Sequence, residues 1–258
     1  QFYLAQAQDS LLGCVWAVSE GGLTDKTLIR QIRRGERRPR GNLVAQMLCF
    51  QAGLEEACEL RSLRISRIAV QPNWQQQGLG QRLIAKMKQQ QIKQQGAVDF
   101  LSVSFGYTPE LLAFWQKCGF ILVHFSESKE ASSGCYSVVA LCPLSEVGRA
   151  FVQQAEKQFQ RNLPFSLHPL AIQFERTEID WTLDCSDWQL LNDFADFYLP
   201  LSSVLPSIQR LIKSAGELPF PLLADYCKQP EKRPNKKTWL ENCRLEVKKW
   251  LQKNGVLL

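Results

Sequence analysis

Two glycines, Gly78 and Gly80, end an amide-rich turn in the first third of the chain. They follow an apolar segment over residues 65–70 and precede a segment over residues 81–87 whose apolar pattern predicts a helix. A strand, a glycine turn and a helix N-terminus bring backbone N–H groups together at one point, where the helix dipole favours an anion. The spacing therefore predicts a binding site for a phosphate or a diphosphate.

The spacing also excludes two common phosphate loops. A dinucleotide-binding loop needs a third glycine where Leu83 stands. A Walker A loop needs Lys and then Ser or Thr after its last glycine, and here Gln81 and Arg82 follow. A glycine turn that only joins a strand to a helix remains the alternative interpretation.

The string Gln75-x-x-Gly78-x-Gly80 resembles the pyrophosphate loop of the GNAT acetyltransferases. The resemblance implies that acetyl-CoA is the cofactor, and that its pantetheine arm enters a gap where the sheet splays. The cofactor-binding residues that it implies in the strand and the loop are Ile68, Ala69, Val70, Gln75, Gln76, Gln77, Gly78, Leu79, Gly80 and Gln81.

A second group of elements follows the loop. The pattern predicts a strand over residues 98–105, a helix over residues 110–117 and a strand over residues 120–124. Thr108 suits the N-cap of that helix and Pro109 its first position. The string Phe-Trp-x-Lys-x-Gly-Phe after the helix resembles the second GNAT signature.

The order of elements predicts an α/β fold, and the resemblance makes it a GNAT-type mixed sheet flanked by helices. The first strand and helices of that fold are missing, because the chain begins at Gln1 with a hairpin. We expect an acetyltransferase domain over residues 1–144, with an Arg-rich helical insertion at about 24–60. A mainly helical, basic tail domain is expected over residues 145–258. We also expect the chain to be a fragment of a longer protein or part of a split one.

Candidate catalytic groups follow from the same resemblance. Tyr107 and Ser104 resemble the positions from which GNAT enzymes supply a general acid to the leaving thiolate. Glu110 and Lys117 lie seven residues apart and so share a helix face. Their positions imply contacts with acetyl-CoA, although two solvated charges would show the same spacing. Neither histidine of the chain suggests a catalytic base, and no metal site is expected.

Longer strings resemble one branch of the family, the bacterial tRNA(Met) cytidine acetyltransferases. They lie at residues 37–46, 102–108, 114–120 and 131–136. The resemblance implies acetylation of the exocyclic amine of the wobble cytidine in elongator methionine tRNA. It also implies ATP hydrolysis with Mg²⁺ by a helicase-like module upstream, which this chain lacks. Gln71 departs from the pattern, because relatives often carry a histidine there.

Positive charge is concentrated in two places. The net charge is +6, and residues 201–258 hold eleven Lys or Arg against five acids. A second cluster interrupts the acetyltransferase region, and its predicted RNA-binding residues are Arg33, Arg34, Arg37, Arg38 and Arg40. Because RNA affinity draws on phosphate neutralisation, both regions suit tRNA. Ordinary solvated surface is the alternative.

Composition limits the remaining possibilities. No apolar stretch approaches the roughly 20 residues that span a bilayer, so no membrane partner is expected. Nine cysteines without a Cys-x-x-Cys pair suggest reduced thiols and a cytoplasmic protein. Two alternatives to the tRNA enzyme stay open: an acetyltransferase acting on a protein or small-molecule amine, and a non-catalytic RNA-binding module that retains an acetyl-CoA site.

Overall fold

The computed structural model of the protein describes residues 1–93, 98–129, 134–175, 177–232 and 237–256. Residues 131–133 of one family-like string, and Arg233 and Lys236 of the basic tail, lie outside the described residues. The chain divides into two compact units. The first comprises residues 1–29, 39–49 and 54–159, and the second comprises residues 30–38, 50–53 and 160–258.

The first unit is built on a sheet. Within the described residues, six strands form one mixed sheet in the order β1-β2-β3-β4-β6-β5. The strands are β1 Phe2–Ala7, β2 Ser10–Gly21, β3 Arg61–Val70, β4 Phe100–Gly106, β5 Ile121–Lys129 and β6 Tyr136–Pro143. The helices that lie wholly or partly in this unit are α1 Lys26–Arg33, α2 Leu43–Ala52, α3 Glu56–Glu59, α4 Leu79–Lys93, α5 Pro109–Lys117 and α6 Glu146–Asn162. The predicted α/β fold with a mixed sheet flanked by helices is confirmed.

Strand β6 is the element that sequence analysis missed. It lies between β4 and β5 and pairs antiparallel with both, so β5 does not neighbour β4. Residues 137–142 are all buried, and a run buried on both faces has no apolar–polar alternation to reveal it.

The core of the first unit fixes α4 and α5 against the sheet. Val15 and Leu63 of the sheet pack with Ile84 and Met87 of α4 and with Trp115 of α5. All five side chains are buried. Burial of an apolar side chain of this size stabilises the fold by about 1.5–3 kcal/mol.

Helix α6 begins in the first unit and ends in the second. Its Phe151 ring lies 5.1 Å from the Phe100 ring, and its Phe159 ring lies 4.9 Å from the Phe125 ring. These contacts attach most of α6 to the sheet, and the first unit therefore extends to residue 159. The boundary predicted between residues 144 and 145 lies just before this helix, whereas the division between the two units follows residue 159, near its end.

The two parallel strands at the centre of the sheet separate. β3 pairs with β4 only from Ser62 opposite Phe100 to Ile65 opposite Val103. Beyond Ile65, β3 continues beside β2 as far as Val70 opposite Gly13. The sheet therefore opens toward the carboxyl ends of β3 and β4.

A buried carboxylate fastens α2 to the sheet. The Glu20 carboxylate accepts the N–H groups of Leu43 and Val44, both at 2.9 Å. It also accepts Arg64 Nε at 2.6 Å. A carboxylate at a helix N-terminus interacts favourably with the helix dipole, so Glu20 fixes where the inserted segment begins its second helix.

The second unit is mainly helical. Its helices are α7 Cys185–Asp196, α8 Leu201–Ala215, α9 Pro221–Lys228 and α10 Lys237–Lys253. Cys243, Val247 and Leu251 of α10 are fully buried and form the stripe of that helix that faces the core. α7 begins at Cys185 because Asp184 caps it in a capping box with Asp187.

Part of the Arg cluster belongs to the interior of the second unit. Arg33 Nε lies 3.0 Å from Asp193 Oδ2, and Arg34 Nε lies 3.3 Å from Asp193 Oδ1. Arg33 is only 5% exposed, and the Arg34 guanidinium covers the Phe197 ring at 4.3 Å. A buried guanidinium paired with a carboxylate cannot reach an RNA phosphate. We therefore withdraw Arg33 as an RNA contact and treat Arg34 as mainly structural.

We predict that Asp193→Asn strongly destabilises the protein. The substitution removes a carboxylate that pairs with the buried Arg33, and removal of one partner of a buried ion pair costs about 3–5 kcal/mol. Urea unfolding followed by circular dichroism measures the loss. The matched control is Asp196→Asn, whose side chain is 35% exposed and pairs with Lys248. This control should cost less than about 1 kcal/mol; equal losses for both variants would contradict the structural role of Asp193.

Candidate functional site

The glycine turn ends at a helix N-terminus, as expected. β3 ends at Val70, a 3₁₀ turn spans Pro72–Trp74, and α4 begins at Leu79. The Gly78 carbonyl accepts the Arg82 N–H at 3.0 Å, which is the first hydrogen bond of the helix. The N–H groups of residues 78–81 therefore precede the helical ladder and can bind an anion.

Gly78 provides both the backbone conformation and the space. Its φ is +79°, a region that side chains other than glycine disfavour. A Cβ at this position would meet only Gln81 Oε1, at 3.8 Å. The surface over Gly78 is therefore open to a ligand.

The glutamine side chains of the turn hold the turn itself. Gln75 Nε2 donates to the Val70 carbonyl at 3.0 Å, and Gln77 Nε2 donates to the Asn73 carbonyl at 2.8 Å. Gln76 has a φ of +58°, which is strained for a non-glycine residue. These glutamines can contact a ligand through their backbones while their side chains stabilise the loop.

Gly80 has a different structural role from Gly78. A Cβ at Gly80 would lie 3.3 Å from Phe114 Cε2 and 3.7 Å from Ile68 Cδ1. Gly80 therefore permits the first turn of α4 to pack closely on α5 and β3. Sequence analysis assigned both glycines to phosphate approach, and it missed Phe114 because a packing partner in a distant element leaves no local signal.

The separated edge of β3 presents backbone groups to the gap. Gln71 N–H donates to the Leu12 carbonyl at 2.9 Å, so Gln71 is directed toward β2. Backbone groups of successive strand residues point to alternate edges. Ala69 is therefore directed toward β2, while Ile68 and Val70 are directed toward the gap.

Tyr107 and Ser104 lie on the other side of the gap, at the end of β4. Tyr107 N–H donates to the Tyr136 carbonyl at 2.8 Å, which fixes the backbone beyond the strand. Burial, followed by the Glu110 carboxylate, raises the pKa of the Tyr107 phenol. The phenol therefore stays protonated at neutral pH and can donate a proton. Ser104 is half-buried and lies opposite Val139 of β6.

Glu110 and Lys117 lie at opposite ends of α5. Thr108 caps the helix by accepting the Leu111 N–H at 3.2 Å, as the sequence predicts. Hydrogen bonds from its own backbone N–H and from the Thr108 side chain lower the pKa of the Glu110 carboxyl. Glu110 thus supports the helix start, whereas Lys117 is exposed two turns away, about 10 Å along the axis.

The remaining arginines of the cluster are exposed. They are Arg37, Arg38 and Arg40.

In the part of the chain that the structure describes, no group of three or more His, Cys, Asp or Glu side chains could hold a metal ion. The same part of the chain contains no helix that is long and apolar enough to cross a membrane.

Comparison with known families identifies the fold. A family model described as GNAT acetyltransferase 2 matches residues 5–95 and 83–145, which together cover more than half of the 258 residues. The chain belongs to this GNAT acetyltransferase family. A second model, described as a tRNA-binding domain, matches residues 148–255 of this GNAT protein.

Individual relatives are similar over nearly the whole chain. The tRNA(Met) cytidine acetyltransferase of Haemophilus influenzae is 54% identical over 98% of this chain and 38% of its own length. The enzyme of the same name from Actinobacillus pleuropneumoniae is 46% identical over 94% of this chain and 41% of its own length. The predicted resemblance to these GNAT proteins is confirmed, and the chain spans about two fifths of their length.

A solved structure of a Bacillus subtilis acetyltransferase in complex with CoA is a more distant neighbour. It covers 56% of this chain and 76% of its own, with 18% identity and a TM-score of 0.34.

We predict that Gly80→Val and Gly78→Ala destabilise this GNAT protein for different reasons. Gly80→Val pushes into Phe114, and overpacking of this kind costs about 1–3 kcal/mol. Gly78→Ala has room but adopts a left-handed backbone, at a cost of about 1–2 kcal/mol. Adding Phe114→Leu should recover part of the loss for Gly80→Val only. Urea unfolding of wild type, the three single variants and the two double variants, arranged as two double-mutant cycles, measures this, and equal recovery of both glycine variants would disprove the distinction.

We predict that the Tyr107 phenol ionises above its ordinary pKa of 10.0. Carbon NMR of ring-labelled tyrosine, with Tyr107→Phe to assign the signal, measures the midpoint. Because the Glu110 carboxylate contributes to the rise, Glu110→Gln should lower the midpoint while burial keeps it raised. The control Glu146→Gln removes a carboxylate from α6 and should leave the midpoint unchanged. A midpoint that does not respond to Glu110→Gln would contradict the electrostatic contribution.

Proposed function

We propose that this chain carries the acetyl-transfer site and an RNA-binding surface of a tRNA(Met) cytidine acetyltransferase. The product would be N4-acetylcytidine at the wobble position of elongator methionine tRNA. One observation carries the proposal: a GNAT region and a region similar to a tRNA-binding domain occur in a single chain. A GNAT protein that acetylates a protein or a small amine has no need of the second region.

The geometry fits acetyl-CoA as the acetyl donor. Its pyrophosphate would accept N–H groups from residues 78–81, where Gly78 leaves the surface open. The gap-facing backbone groups of Ile68 and the N–H of Val70 would pair with the pantetheine arm, since the Val70 carbonyl already accepts Gln75 Nε2. Lys117 would face a phosphate of the CoA nucleotide. Acetyl-CoA supplies the thioester on which the reaction depends.

Acetyl transfer from the thioester to the cytosine amine requires a proton donor. The cytosine amine is a weak nucleophile, because its lone pair is delocalised into the ring, and it must attack the thioester carbonyl directly. A C–N bond forms, the C–S bond breaks, and the nitrogen loses a proton to solvent. The leaving thiolate needs a proton, which Tyr107 can donate because its phenol stays protonated at neutral pH. Ser104, on the same strand end, is the second candidate.

The RNA contacts in the Arg cluster would come from its exposed members. Arg37, Arg38 and Arg40 can neutralise phosphates, which contributes much of RNA affinity. We place ATP hydrolysis in a helicase-like module outside these 258 residues, in the same polypeptide or in a separate chain. The compartment that fits a tRNA substrate is the cytoplasm.

Calorimetric titration with acetyl-CoA tests the donor site. Gly78→Glu places a negative charge where the pyrophosphate would lie, and should weaken binding at least tenfold, or about 1.4 kcal/mol. The matched control is Gly41→Glu. Gly41 has a φ of +80°, close to that of Gly78, and equally open space around it, but it lies outside the loop. Equal affinity in wild type and Gly78→Glu would remove the loop from the site.

Nucleoside mass spectrometry tests the acceptor. Wild type is incubated with acetyl-CoA and either elongator methionine tRNA or its isolated anticodon stem-loop, which presents the cytidine without an unwinding step. Acetylcytidine should form, and Tyr107→Phe should form it more slowly, because general acid catalysis contributes about 100- to 10,000-fold. Acetylation of proteins or polyamines in place of RNA would overturn the acceptor. Binding of RNA and acetyl-CoA without any transfer would favour the non-catalytic module.

A further inference from the structure

An exposed tyrosine stands on a fixed backbone in the second unit. Tyr198 is 68% exposed. Its N–H donates to the Arg34 carbonyl at 3.2 Å. The next residue, Leu199, is fully buried, and its carbonyl accepts Arg244 Nη2 at 2.9 Å. These anchors hold the backbone in place and direct the Tyr198 ring to solvent.

A second aromatic ring lies beside Tyr198. A Cβ at Gly35 would be 2.7 Å from Phe50 Cε2 and 3.3 Å from Tyr198 Cβ. Gly35 has a φ of +76°, so its backbone passes between the two aromatic residues where another side chain would not fit. The Arg38 guanidinium lies 5.7 Å from the centre of the Phe50 ring. Two aromatic residues and an exposed arginine therefore share one surface.

The charge around these rings is positive. Arg33 and Arg34 both pair with the Asp193 carboxylate. Arg37 and Arg38 add two exposed charges, and the neighbouring acid Glu36 offsets one. Asp196, two residues before Tyr198, is already paired with Lys248 at 2.7 Å. The Tyr198 surface, defined as Tyr198, Phe50, Arg37 and Arg38, thus combines an accessible ring with cations.

We propose that the Tyr198 surface binds an unpaired nucleotide of RNA. The base stacks on the Tyr198 ring, and the flanking phosphates contact Arg37 and Arg38. The inference rests on the proposed function, because it assumes that the acceptor of this enzyme is an RNA. Single exposed apolar residues are common on protein surfaces. This ring differs because hydrogen bonds hold its backbone and the Arg38 guanidinium lies near the adjoining Phe50 ring. A tyrosine side chain, with two rotatable bonds, also loses little conformational entropy on binding.

The chemistry favours a single strand over a duplex. An aromatic face can accept a base only when that base is not already stacked and paired. Stacking on an aromatic side chain accepts any base, whereas the arginines supply affinity for the backbone. The Tyr198 surface should therefore discriminate strandedness more than sequence.

Substitution of the ring tests stacking. Binding of the 258-residue chain to a mixed-sequence 12-nucleotide single strand, to its duplex and to elongator methionine tRNA is measured by fluorescence anisotropy. Tyr198→Ala should weaken single-strand binding roughly 5- to 150-fold, the range for loss of one stacked base. Tyr198→Phe keeps the ring and should bind like wild type. Ile172→Ala removes another exposed side chain of the same unit, 77% exposed, and should have no effect.

Substitution of the charges tests the phosphate contacts. Arg37→Gln should weaken single-strand binding and reduce the salt slope by about 0.7 for each lost contact. Glu36→Gln removes the neighbouring acid and should strengthen binding. Lys86→Gln makes the same change of charge at an exposed residue of α4, outside the region similar to a tRNA-binding domain, and should leave both affinity and slope unchanged.

The outcomes separate this inference from the proposed function. If Tyr198→Ala binds the single strand as wild type does, or if it loses duplex binding to the same extent, base stacking on Tyr198 is wrong. Capture of an acidic peptide in preference to RNA would also overturn it. Failure of the proposed function would instead appear as wild type that does not bind acetyl-CoA or does not acetylate RNA. Neither failure depends on Tyr198.

Discussion

The candidate site depends on one interrupted contact, the pairing of β3 with β4. The two strands are joined over four residue pairs and then separate, so among the described residues the second half of β3 pairs with a strand on one edge only. Unpaired backbone groups inside a protein require a partner, from the protein, from water or from a ligand. The backbone groups on the gap-facing edge of β3 therefore need hydrogen-bond partners, and an extended amide chain such as pantetheine can provide them. Because β3 leads directly into the glycine turn, the same separation places the N-terminus of α4 beside that edge.

Local signals made much of this arrangement predictable from the sequence. Thr108 and Pro109 set the start of α5, and Gly78 sets the turn before α4, because each acts through its own backbone or through neighbours three residues away. The features that sequence analysis missed all depend on distant partners. β6 enters between β4 and β5, Phe114 explains Gly80, and Asp193 explains Arg33. The pattern of residues within one segment does not indicate which distant residues will contact that segment in the fold.

The Arg cluster illustrates how one composition serves two physical purposes. Arg33 and Arg34 are directed inward, where the free energy of losing hydration is offset by a shared carboxylate and by the Phe197 ring. Arg37 and Arg38, each four residues after one of the inward pair, stay in water. The number of charges predicts that this segment attracts a polyanion, but it does not predict which of its arginines are exposed and able to contact that polyanion. The inward pair fixes the segment, and this fixed backbone is what orients the outward pair and the neighbouring Tyr198.

The contact between Arg33 and Asp193 also has a consequence during synthesis, because 160 residues separate the two along the chain. At about 5–20 residues per second, a ribosome adds Asp193 roughly 8–32 seconds after it adds Arg33. Throughout that interval, residues 30–38 of the second unit cannot pack against the helices that form its core, because those helices have not yet been synthesised. A segment of apolar residues in the same position would be exposed to aggregation while it waited. Arginine is well suited to such a delay, since water can solvate its charge until the carboxylate arrives.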